Sequence, residues 1–273
     1  MILYASTFSR KDMKAQEFIH GLLKNGRFSF TTQEAEKALS LSSVATRNTL
    51  LRLKQNKKIA SPARGFYLIL PPEYEIYECL PADMFIDSLM KYFNQPYYVG
   101  YLSAAQFHGA AHQKPQRFQV VTLKNRRPIR CGRIYIEFIA NKDITDMPTK
   151  KMNTYTGYMN VATPEVTAAD LVNSPQHGSG ISNVATVLIE LAESLDERKL
   201  IELTMIRPES GWIQRLGYLF DFLGLHHLAN VLFTSLQNKK SYWIRLIPRA
   251  PKILSSNEKW KIIINTEVEP DDV

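Results

Sequence analysis

The segment TTQEAEKALSLSSVATRNTLLRLKQNKKIASPARGFYLIL, residues 31–70, decides the fold of the first quarter of the chain. Thr31 or Thr32 can cap a short helix, because their hydroxyls can accept hydrogen bonds from the first free backbone N–H groups. The tight turn 40–42 then leads into a longer helix over about 43–56, in which Leu50 and Leu53 are the expected core residues. Two helices joined by such a turn form a helix-turn-helix pattern.

The end of the same segment predicts a β-hairpin. Ile59-Ala60 begins an extended stretch, the turn 62–65 carries Arg64, and Phe66 to Leu70 returns as a strand of β-branched and aromatic residues. A hairpin directly after the second helix of a helix-turn-helix is a wing. The segment therefore predicts a winged helix-turn-helix.

A further helix precedes this segment. We expect Asp12 to cap it, and it runs to about Asn25, where Gly26 ends it. Five apolar residues fall on one of its faces at helical spacing. They are Ala15, Phe18, Ile19, Leu22 and Leu23.

The basic charge of the chain is confined to the same region. Residues 1–70 hold 12 Lys or Arg and 4 Asp or Glu, whereas residues 71–273 hold 22 of each. The formal net charge of +8 therefore belongs to the first quarter of the chain. A basic module on a neutral body is typical of polyanion binding, although a solvated basic face without a partner gives the same counts.

Helix-turn-helix proteins that bind DNA place the second helix of the motif in the major groove. Ser43, Arg47 and Asn48 point outward from its N-terminal half, where Arg can bond guanine and Asn can bond adenine. We expect phosphate contacts from the cations that follow these residues. These cations are Arg52 and Lys54, followed by Lys57, Lys58 and Arg64, of which the last three would contact either phosphates or the minor groove. The alternative is a winged helix used only for protein contacts, for which this excess of charge is unusual.

The rest of the chain predicts a second, mixed α/β domain. Pro71-Pro72 ends the hairpin and the stretch to Pro81 reads as a linker, so we place a DNA-binding domain at 1–72 and an effector domain at 73–273. The fold class is therefore α+β. In the first half of the second domain we expect helices and strands at Asp83–Phe93, after Ser103 as a cap, and at Phe118–Thr122, Ile134–Ile139 and Tyr158–Val161. The second half is helix-rich.

The sequence offers little catalytic chemistry. It has no Walker loop, no GxGxxG and no GxSxG elbow, and its carboxylates form no nuclease-like pair on a predicted strand. His108 and His112 have the spacing of a helical zinc pair, but Gly109 replaces the catalytic Glu of HExxH and no third ligand is evident. Partly buried histidines bonded to the backbone are the favoured interpretation. We expect no catalytic residues, no metal, no cofactor and no enzymatic activity.

The loop KNRRPIRCGR, residues 124–133, carries five cations. It could contact nucleic acid or an acidic partner, and a solvated hairpin loop is an equal alternative. Cys79 and Cys131 form no CxxC motif, which is typical of reduced, buried thiols in a reducing compartment.

No apolar run reaches the roughly 18 residues of a membrane span, and the N-terminus lacks the apolar core of a signal peptide. We therefore expect a cytoplasmic protein without membrane contacts. Residues 267–273 read as a frayed acidic tail.

Four stretches outside the first segment form a recognisable series. They are YYVGYLSAAQFHGAAHQKPQRFQVVT (97–122), VATPEVTAADLV (161–172), RLGYLFDFLG (215–224) and WKIIIN (260–265). In this order they resemble the AbiEi-type antitoxins of the abortive-infection (type IV) toxin–antitoxin systems, and the wing sequence ARGFYLI (63–69) is similar as well. Each stretch alone is mostly small and apolar residues, so the specificity lies in their order along essentially the whole chain.

The resemblance implies a bacterial transcriptional regulator linked to phage defence. Its winged helix would repress its own operon by binding upstream repeats in double-stranded DNA. Its C-terminal domain would counteract a cognate nucleotidyltransferase-like toxin, without the need for a stable complex. The alternative is a transcriptional regulator whose second domain senses a small molecule or carries an unrecognised catalytic site.

Overall fold

The structure is a computed structural model that describes residues 10–110, 115–248, 250 and 253–271. The fold is α+β, as the sequence predicts. It contains two compact units: the first comprises the described residues up to Pro96 with 126–138 and 152–159, and the second comprises 97–125, 139–151 and the residues from 160 onward. The domain boundary predicted after residue 72 divides the chain by function, whereas these units divide it by packing. That boundary therefore stays a prediction.

The first unit begins with the winged helix-turn-helix arrangement that the sequence predicts. Its elements are α1 (Arg10–Lys24), β1 (Ser29–Thr31), α2 (Thr32–Leu39), α3 (Ser43–Gln55), β2 (Ile59–Ala63) and β3 (Phe66–Ile69). The strands form an antiparallel sheet in the order β1-β3-β2, in which Phe30 lies opposite Tyr67 and Ala60 opposite Leu68. We call the β2–β3 hairpin the wing.

Hydroxyl caps fix where α2 and α3 begin. Thr31 Oγ1 accepts the Glu34 N–H at 3.2 Å while Glu34 Oε2 accepts the Thr31 N–H at 2.7 Å, which is a complete capping box. Ser42 Oγ accepts the N–H three residues further on at 3.3 Å. The prediction that Asp12 caps α1 is wrong, because that helix begins at Arg10 and Asp12 falls in its first turn.

The helices and the small sheet enclose one apolar cluster. Its buried members are Ala15, Phe30, Ala35, Leu39, Leu50, Leu53, Ile59 and Ile69. The rings of Phe18 and Phe30 meet edge to face with their centroids 5.3 Å apart. Burial of one large apolar side chain contributes about 1.5–3 kcal/mol, so this cluster is the main stabilising feature of the module. It also decides which face of α3 remains outside.

Two 3₁₀ helices, Pro72–Tyr77 and Ala82–Met84, precede α4 (Ile86–Tyr92). The predicted helix over 83–93 is therefore shorter than expected, because Phe85 at φ −135° interrupts it. The first unit also contains most of a hairpin that begins within the basic loop 124–133. It consists of β6 (Ile129–Cys131) and β7 (Ile134–Ala140), and we call residues 126–138 the basic hairpin.

The largest sheet has six strands in the order β6-β7-β5-β4-β9-β8. The remaining strands are β4 (Tyr97–Val99), β5 (Phe118–Thr122), β8 (Thr149–Thr154) and β9 (Gly157–Ala162). β4 is antiparallel to β5 and parallel to β9, so that Val99 lies opposite Val120 on one side and Val161 on the other. The strands predicted near 118–122, 134–139 and 158–161 are present.

The helix after β4 starts earlier than predicted. α5 (Tyr101–Phe107) begins two residues before Ser103, with Tyr101 in the left-handed region at φ 53°. Ser103 is buried inside the helix instead of capping it. Its hydroxyl accepts the Gln119 N–H at 2.9 Å and donates to the Arg117 carbonyl at 3.2 Å, and so joins α5 to β5.

The second half of the chain is helical, as expected. Its helices are α6 (Pro164–Asn173), α7 (Ile181–Leu191), α8 (Glu197–Ile206), α9 (Ser210–Phe222) and α10 (His226–Gln237). A small sheet follows, made of β10 (Ile244–Arg245), β11 (Ser255–Asn257) and β12 (Ile262–Ile264) in the order β10-β12-β11. Thr163 caps α6 by accepting the Val166 N–H at 3.4 Å, and residues 165–172 of this helix are all buried.

The acidic end of the chain is bonded to α7. The Glu269 N–H donates to Ser182 Oγ at 3.1 Å, and the Asp271 N–H donates to Thr186 Oγ1 at 2.9 Å. The prediction of a frayed tail is therefore wrong as far as Asp271, and residues 272–273 lie outside the described part of the chain.

Candidate nucleic-acid interface

The packing of α3 separates a buried face from an outer face. Thr46, Thr49, Leu50 and Leu53 are all buried against the first unit. On a helix of 3.6 residues per turn these four residues fall on one side. The opposite side is exposed from Ser43 onward.

The three predicted base-reading residues lie on this outer face. Ser43, Arg47 and Asn48 are all exposed. Two apolar side chains lie among them, since Val44 is 67% exposed and Leu51 is 54% exposed. Apolar side chains in this position suit contact with the thymine methyl group in the major groove.

Arg52 and Lys54 lie in the last turn of α3, where cations favour the helix dipole. Both are exposed. Arg52 Nη2 donates to Thr49 Oγ1 at 3.4 Å, a weak bond that holds the guanidinium along the helix. At these positions the two cations are better suited to contact the phosphate backbone of a nucleic acid than to contact its bases.

Lys57 and Lys58 have carboxylate partners that the sequence did not indicate. Lys57 Nζ lies 2.8 Å from Glu78 Oε1, and Lys58 Nζ lies 2.6 Å from Glu75 Oε1. The hydrogen bond from Lys57 lowers the pKa of Glu78 below its ordinary value. Both pairs are partly exposed, so a phosphate would compete with these carboxylates for the lysines.

The tip of the wing is held from within the first unit. Arg64 is exposed and its carbonyl accepts a hydrogen bond from the Tyr92 hydroxyl at 2.9 Å. Gly65 completes the turn at φ 80°, and a Cβ there would lie 2.7 Å from Tyr92 Oη. The turn thus needs glycine both for its backbone conformation and for this close approach. These contacts fix the backbone of the turn from which the exposed Arg64 side chain extends.

The basic hairpin lies beside the wing, with β6 next to β2. Three of its arginines lie over aromatic rings: Arg126 is 3.6 Å from the centroid of Phe93, Arg130 is 4.9 Å from Tyr135, and Arg133 is 5.3 Å from Tyr77. Arg127, Arg130 and Arg133 are exposed, whereas Arg126 is half-buried. Such stacking orders the guanidinium groups and leaves their edges able to donate hydrogen bonds.

Of His108 and His112, which have the spacing of a helical zinc pair, only His108 belongs to the described residues. His108 Nε2 lies 2.7 Å from the Ala162 carbonyl, and burial lowers the pKa of His108. A backbone-bonded histidine is the favoured interpretation of the sequence, and His108 agrees with it. His112 lies outside the described residues. Within residues 10–110, 115–248, 250 and 253–271, no group of three or more His, Cys, Asp or Glu could hold a metal ion.

The second unit contains a polar cavity of about 600 Å³. Asp170 forms its floor: Oδ1 accepts from Arg207 Nη1 at 2.8 Å and Oδ2 accepts from the Tyr98 hydroxyl at 2.9 Å. Burial raises the pKa of Asp170, while the bonds from Arg207 and Tyr98 oppose that shift. Asn141 and the exposed Lys142 line the rim.

Residues 98–222 match the family model of the AbiEi antitoxin C-terminal domain. The chain carries an AbiEi-type antitoxin domain. The match includes nearly all of three stretches that suggested the resemblance, in 97–122, 161–172 and 215–224. The WKIIIN stretch and the wing lie outside it. An antitoxin domain of this type belongs to a toxin–antitoxin system.

Among curated proteins, none matches the sequence significantly. The crystal structure of the RV2827C protein from Mycobacterium tuberculosis is similar in fold. It has a TM-score of 0.69 and 15% sequence identity, and the superposition covers 96% of this chain and 95% of that chain. At this identity the likeness concerns the fold, and it extends from the winged helix through the antitoxin domain.

No helix in the described part of the chain combines the length and the hydrophobicity that a membrane span needs.

Proposed function

We propose that this AbiEi-type antitoxin is also a DNA-binding autorepressor. Its winged helix binds repeats in its own operator, and its antitoxin domain counteracts a nucleotidyltransferase-like toxin in phage defence. The observation that carries the DNA-binding part is the outer face of α3, where Ser43, Arg47 and Asn48 are exposed opposite the buried Leu50 and Leu53. Neither domain needs a cofactor, a metal or a catalytic residue for these roles.

Base reading belongs to the N-terminal half of α3. Arg47 can donate two hydrogen bonds to a guanine edge, and Asn48 can bond an adenine edge in both directions. Ser43 lies one turn before Arg47 on the same side of the helix. The exposed Val44 and Leu51 frame these polar groups with apolar surface suited to thymine methyls.

Phosphate anchoring belongs to the cations around this helix. Arg52 and Lys54 end α3, Lys57 and Lys58 follow it, and Arg64 is held at the tip of the wing. Each phosphate contact releases counterions, so binding should weaken steeply with salt. An affinity that does not change with salt would refute this part of the proposal.

The first test is a gel shift with DNA from upstream of the gene beside unrelated DNA, at about 150 mM salt, where the Debye length is about 8 Å. Arg47→Ala and Asn48→Ala should each lose selective binding, by about 1–3 kcal/mol or roughly 5- to 150-fold for a bidentate contact. Lys24→Ala, which removes the same charge from the end of α1, is the matched control and should stay close to wild type. Equal binding to both DNAs would leave only non-specific attraction.

The antitoxin part has a separate test. Co-expression of the chain with the toxin gene of the same operon should restore growth. The Arg47→Ala/Asn48→Ala variant should restore growth equally well, because these residues belong to DNA recognition. If neither the wild type nor the variant rescues growth, the chain is not the antitoxin of this toxin. The gel-shift result would still stand.

The basic hairpin can be assigned by charge reversal. Arg127→Glu and Arg130→Glu change exposed side chains and leave the stacked Arg126 in place. Weaker DNA binding would add the hairpin to the phosphate contacts, and weaker growth rescue would add it to the antitoxin surface. If both activities are unchanged, the hairpin is a solvated loop.

A second candidate function is supported by the polar cavity. In this alternative, the chain is a transcriptional regulator whose second unit binds a small molecule in the space above Asp170 and Arg207. A ligand from a panel of nucleotides and amino acids should then raise the melting temperature of the wild type, and raise it less in Lys142→Ala at the rim. If no compound in the panel shifts the melting temperature, this alternative loses its support.

A further inference from the structure

The two cysteines of the chain meet inside the first unit. Both are free and buried. Cys131 ends β6, and its Sγ lies 3.9 Å from the carbonyl of Glu78, the residue before Cys79. The Cys131 thiol donates to this carbonyl, which places Cys131 directly beside the backbone that leads into Cys79.

The backbone explains why these cysteines approach so closely. Gly132 follows Cys131 at φ 52°, and a Cβ there would lie 2.1 Å from the Tyr77 carbonyl oxygen. The Arg133 N–H donates to the same carbonyl at 3.3 Å. Only glycine permits this contact, which presses the turn of the basic hairpin against residues 77–79.

Cys131 also opens on a cavity. This space of about 300 Å³ is lined by Lys54, Lys57, Arg130 and Glu78 as well as by Cys131. It is large enough for a molecule the size of water or hydrogen peroxide. Cys79 does not line it. One sulfur is therefore within reach of a small solute, and the other lies behind it.

The surroundings give the two thiols different acidities. The hydrogen bond from Cys79 lowers the pKa of Cys131, and the Lys54 ammonium acts in the same direction against the opposing effect of burial. The same hydrogen bond and burial raise the pKa of Cys79. Because the thiolate is the nucleophile, and because Cys131 lines the cavity whereas Cys79 does not, Cys131 is the sulfur placed to react first.

We propose that Cys131 is a peroxide-reactive cysteine and that Cys79 resolves it to a disulfide. The Cys131 thiolate attacks one oxygen of hydrogen peroxide, the O–O bond breaks, and sulfenic acid and hydroxide form. The Cys79 sulfur then attacks the Cys131 sulfur and the S–O bond breaks. The departing hydroxyl group keeps its own proton, takes up the Cys79 proton and leaves as water, while the hydroxide from the first step takes up the proton that Cys131 released. In total, two thiols lose two electrons to one peroxide.

The disulfide would tie the basic hairpin to the segment that follows the winged helix. It would close the loop from Cys79 to Cys131 and restrict the unfolded chain, which raises the melting temperature. This inference does not depend on DNA binding, because neither the reaction nor its detection involves DNA.

The test is thiol mapping of the full chain. Native protein is exposed to hydrogen peroxide, alkylated without reduction, digested and analysed by mass spectrometry. We expect a peptide in which Cys79 and Cys131 are joined with loss of two hydrogens, and recovery of both thiols after dithiothreitol. Two fully alkylated cysteines after peroxide, or disulfides only between separate chains, would overturn the proposal.

Two variants assign the roles. In Cys79→Ala, Cys131 should stop at sulfenic acid, which dimedone traps. In Cys131→Ala, Cys79 should remain a thiol under the same exposure, because its reactive neighbour is missing. Oxidation of Cys79 in that variant would overturn the assignment. Circular dichroism verifies that each variant folds, and the mapping of the wild-type chain decides the disulfide even if one does not.

Discussion

Gly217 of α9 lies so close to the Trp260 indole that a Cβ on Gly217 would be 2.1 Å from Trp260 Cη2. Trp260 is fully buried, and its Nε1 donates to Asp221 Oδ2 at 2.7 Å, one turn further along the same helix. Gly217 belongs to the segment that matches the antitoxin domain, whereas Trp260 lies beyond it. The end of the chain therefore completes the core of this domain, and the matched segment alone leaves α9 uncovered at this point.

Gly217→Ala should destabilise the protein. A helical Gly→Ala change ordinarily stabilises by about 0.5–1 kcal/mol, but here the methyl group would overlap a buried ring. Forced repacking of this kind costs about 1–3 kcal/mol, so the net effect should be a loss of stability. Urea denaturation measures it. Gly211→Ala in the first turn of α9, where the nearest heavy atom to a Cβ is 3.4 Å away, is the matched control and should change stability little.

The capping box of α2 should make stability depend on pH. Burial acts to raise the pKa of Glu34, but hydrogen bonds from Arg27 and Thr31 outweigh it and hold this pKa below its ordinary value. A carboxylate with a lowered pKa in the folded state stabilises at pH values above its unfolded pKa. That contribution is lost as pH falls through the folded pKa.

The variant Glu34→Gln keeps the cap geometry and removes the titration. The difference in unfolding free energy between wild type and Glu34→Gln should be constant near neutral pH and shrink below about pH 4.5. Chemical denaturation at several pH values measures this difference. A gap that widens on acidification would contradict the assigned sign.

The salt dependence of DNA binding should identify the role of Lys57. If Lys57 contacts a phosphate, Lys57→Ala should reduce the slope of log affinity against log salt by about 0.9. Glu78→Gln should strengthen binding, because it removes the carboxylate 2.8 Å from the Lys57 ammonium. Glu73→Gln changes a carboxylate of the same segment that pairs with neither lysine, and it controls for the general loss of negative charge. An unchanged slope in Lys57→Ala would remove this residue from the phosphate contacts.

The winged helix was predictable because its determinants are local. Thr31, Glu34 and Ser42 set the helix starts within four residues of their partners, and the apolar spacing in α3 identified its buried face. The exposure of Arg47 and Asn48 follows from that spacing alone. Such caps and apolar spacing predict local structure, but they do not predict contacts between distant segments.

What the sequence did not indicate depends on contacts between distant segments. β8 has the sequence TKKMNT, which is largely exposed and has no apolar alternation, so only its pairing in the sheet makes it a strand. The carboxylate partners of Lys57 and Lys58 come from a stretch that reads as a linker. The approach of Cys131 to Cys79 depends on the turn at Gly132 and on its close contact with Tyr77. No pattern in the sequence predicts that contact.

The buried Asp170–Arg207 pair should be strongly coupled. Asp170 is 3% exposed and takes its bonds from Arg207 and Tyr98 inside the second unit. Arg207→Met would leave a buried carboxylate without its cation, which costs about 3–5 kcal/mol for pairs of this kind. Asp170→Asn/Arg207→Met removes both charges and should recover part of that loss, as a double-mutant cycle in urea would measure.

The same pair predicts an opposite pH dependence to that of Glu34. Burial already raises the pKa of Asp170, and removal of Arg207 takes away the nearby positive charge, the strongest of the interactions that oppose the rise. A carboxyl whose pKa is raised in the folded state loses stability as pH increases from its unfolded value to its folded value. The deficit of Arg207→Met relative to wild type should therefore be smaller near pH 4 than near pH 7. An equal deficit at both values would mean that Asp170 stays ionised without Arg207, held by Tyr98 and the surrounding polar groups.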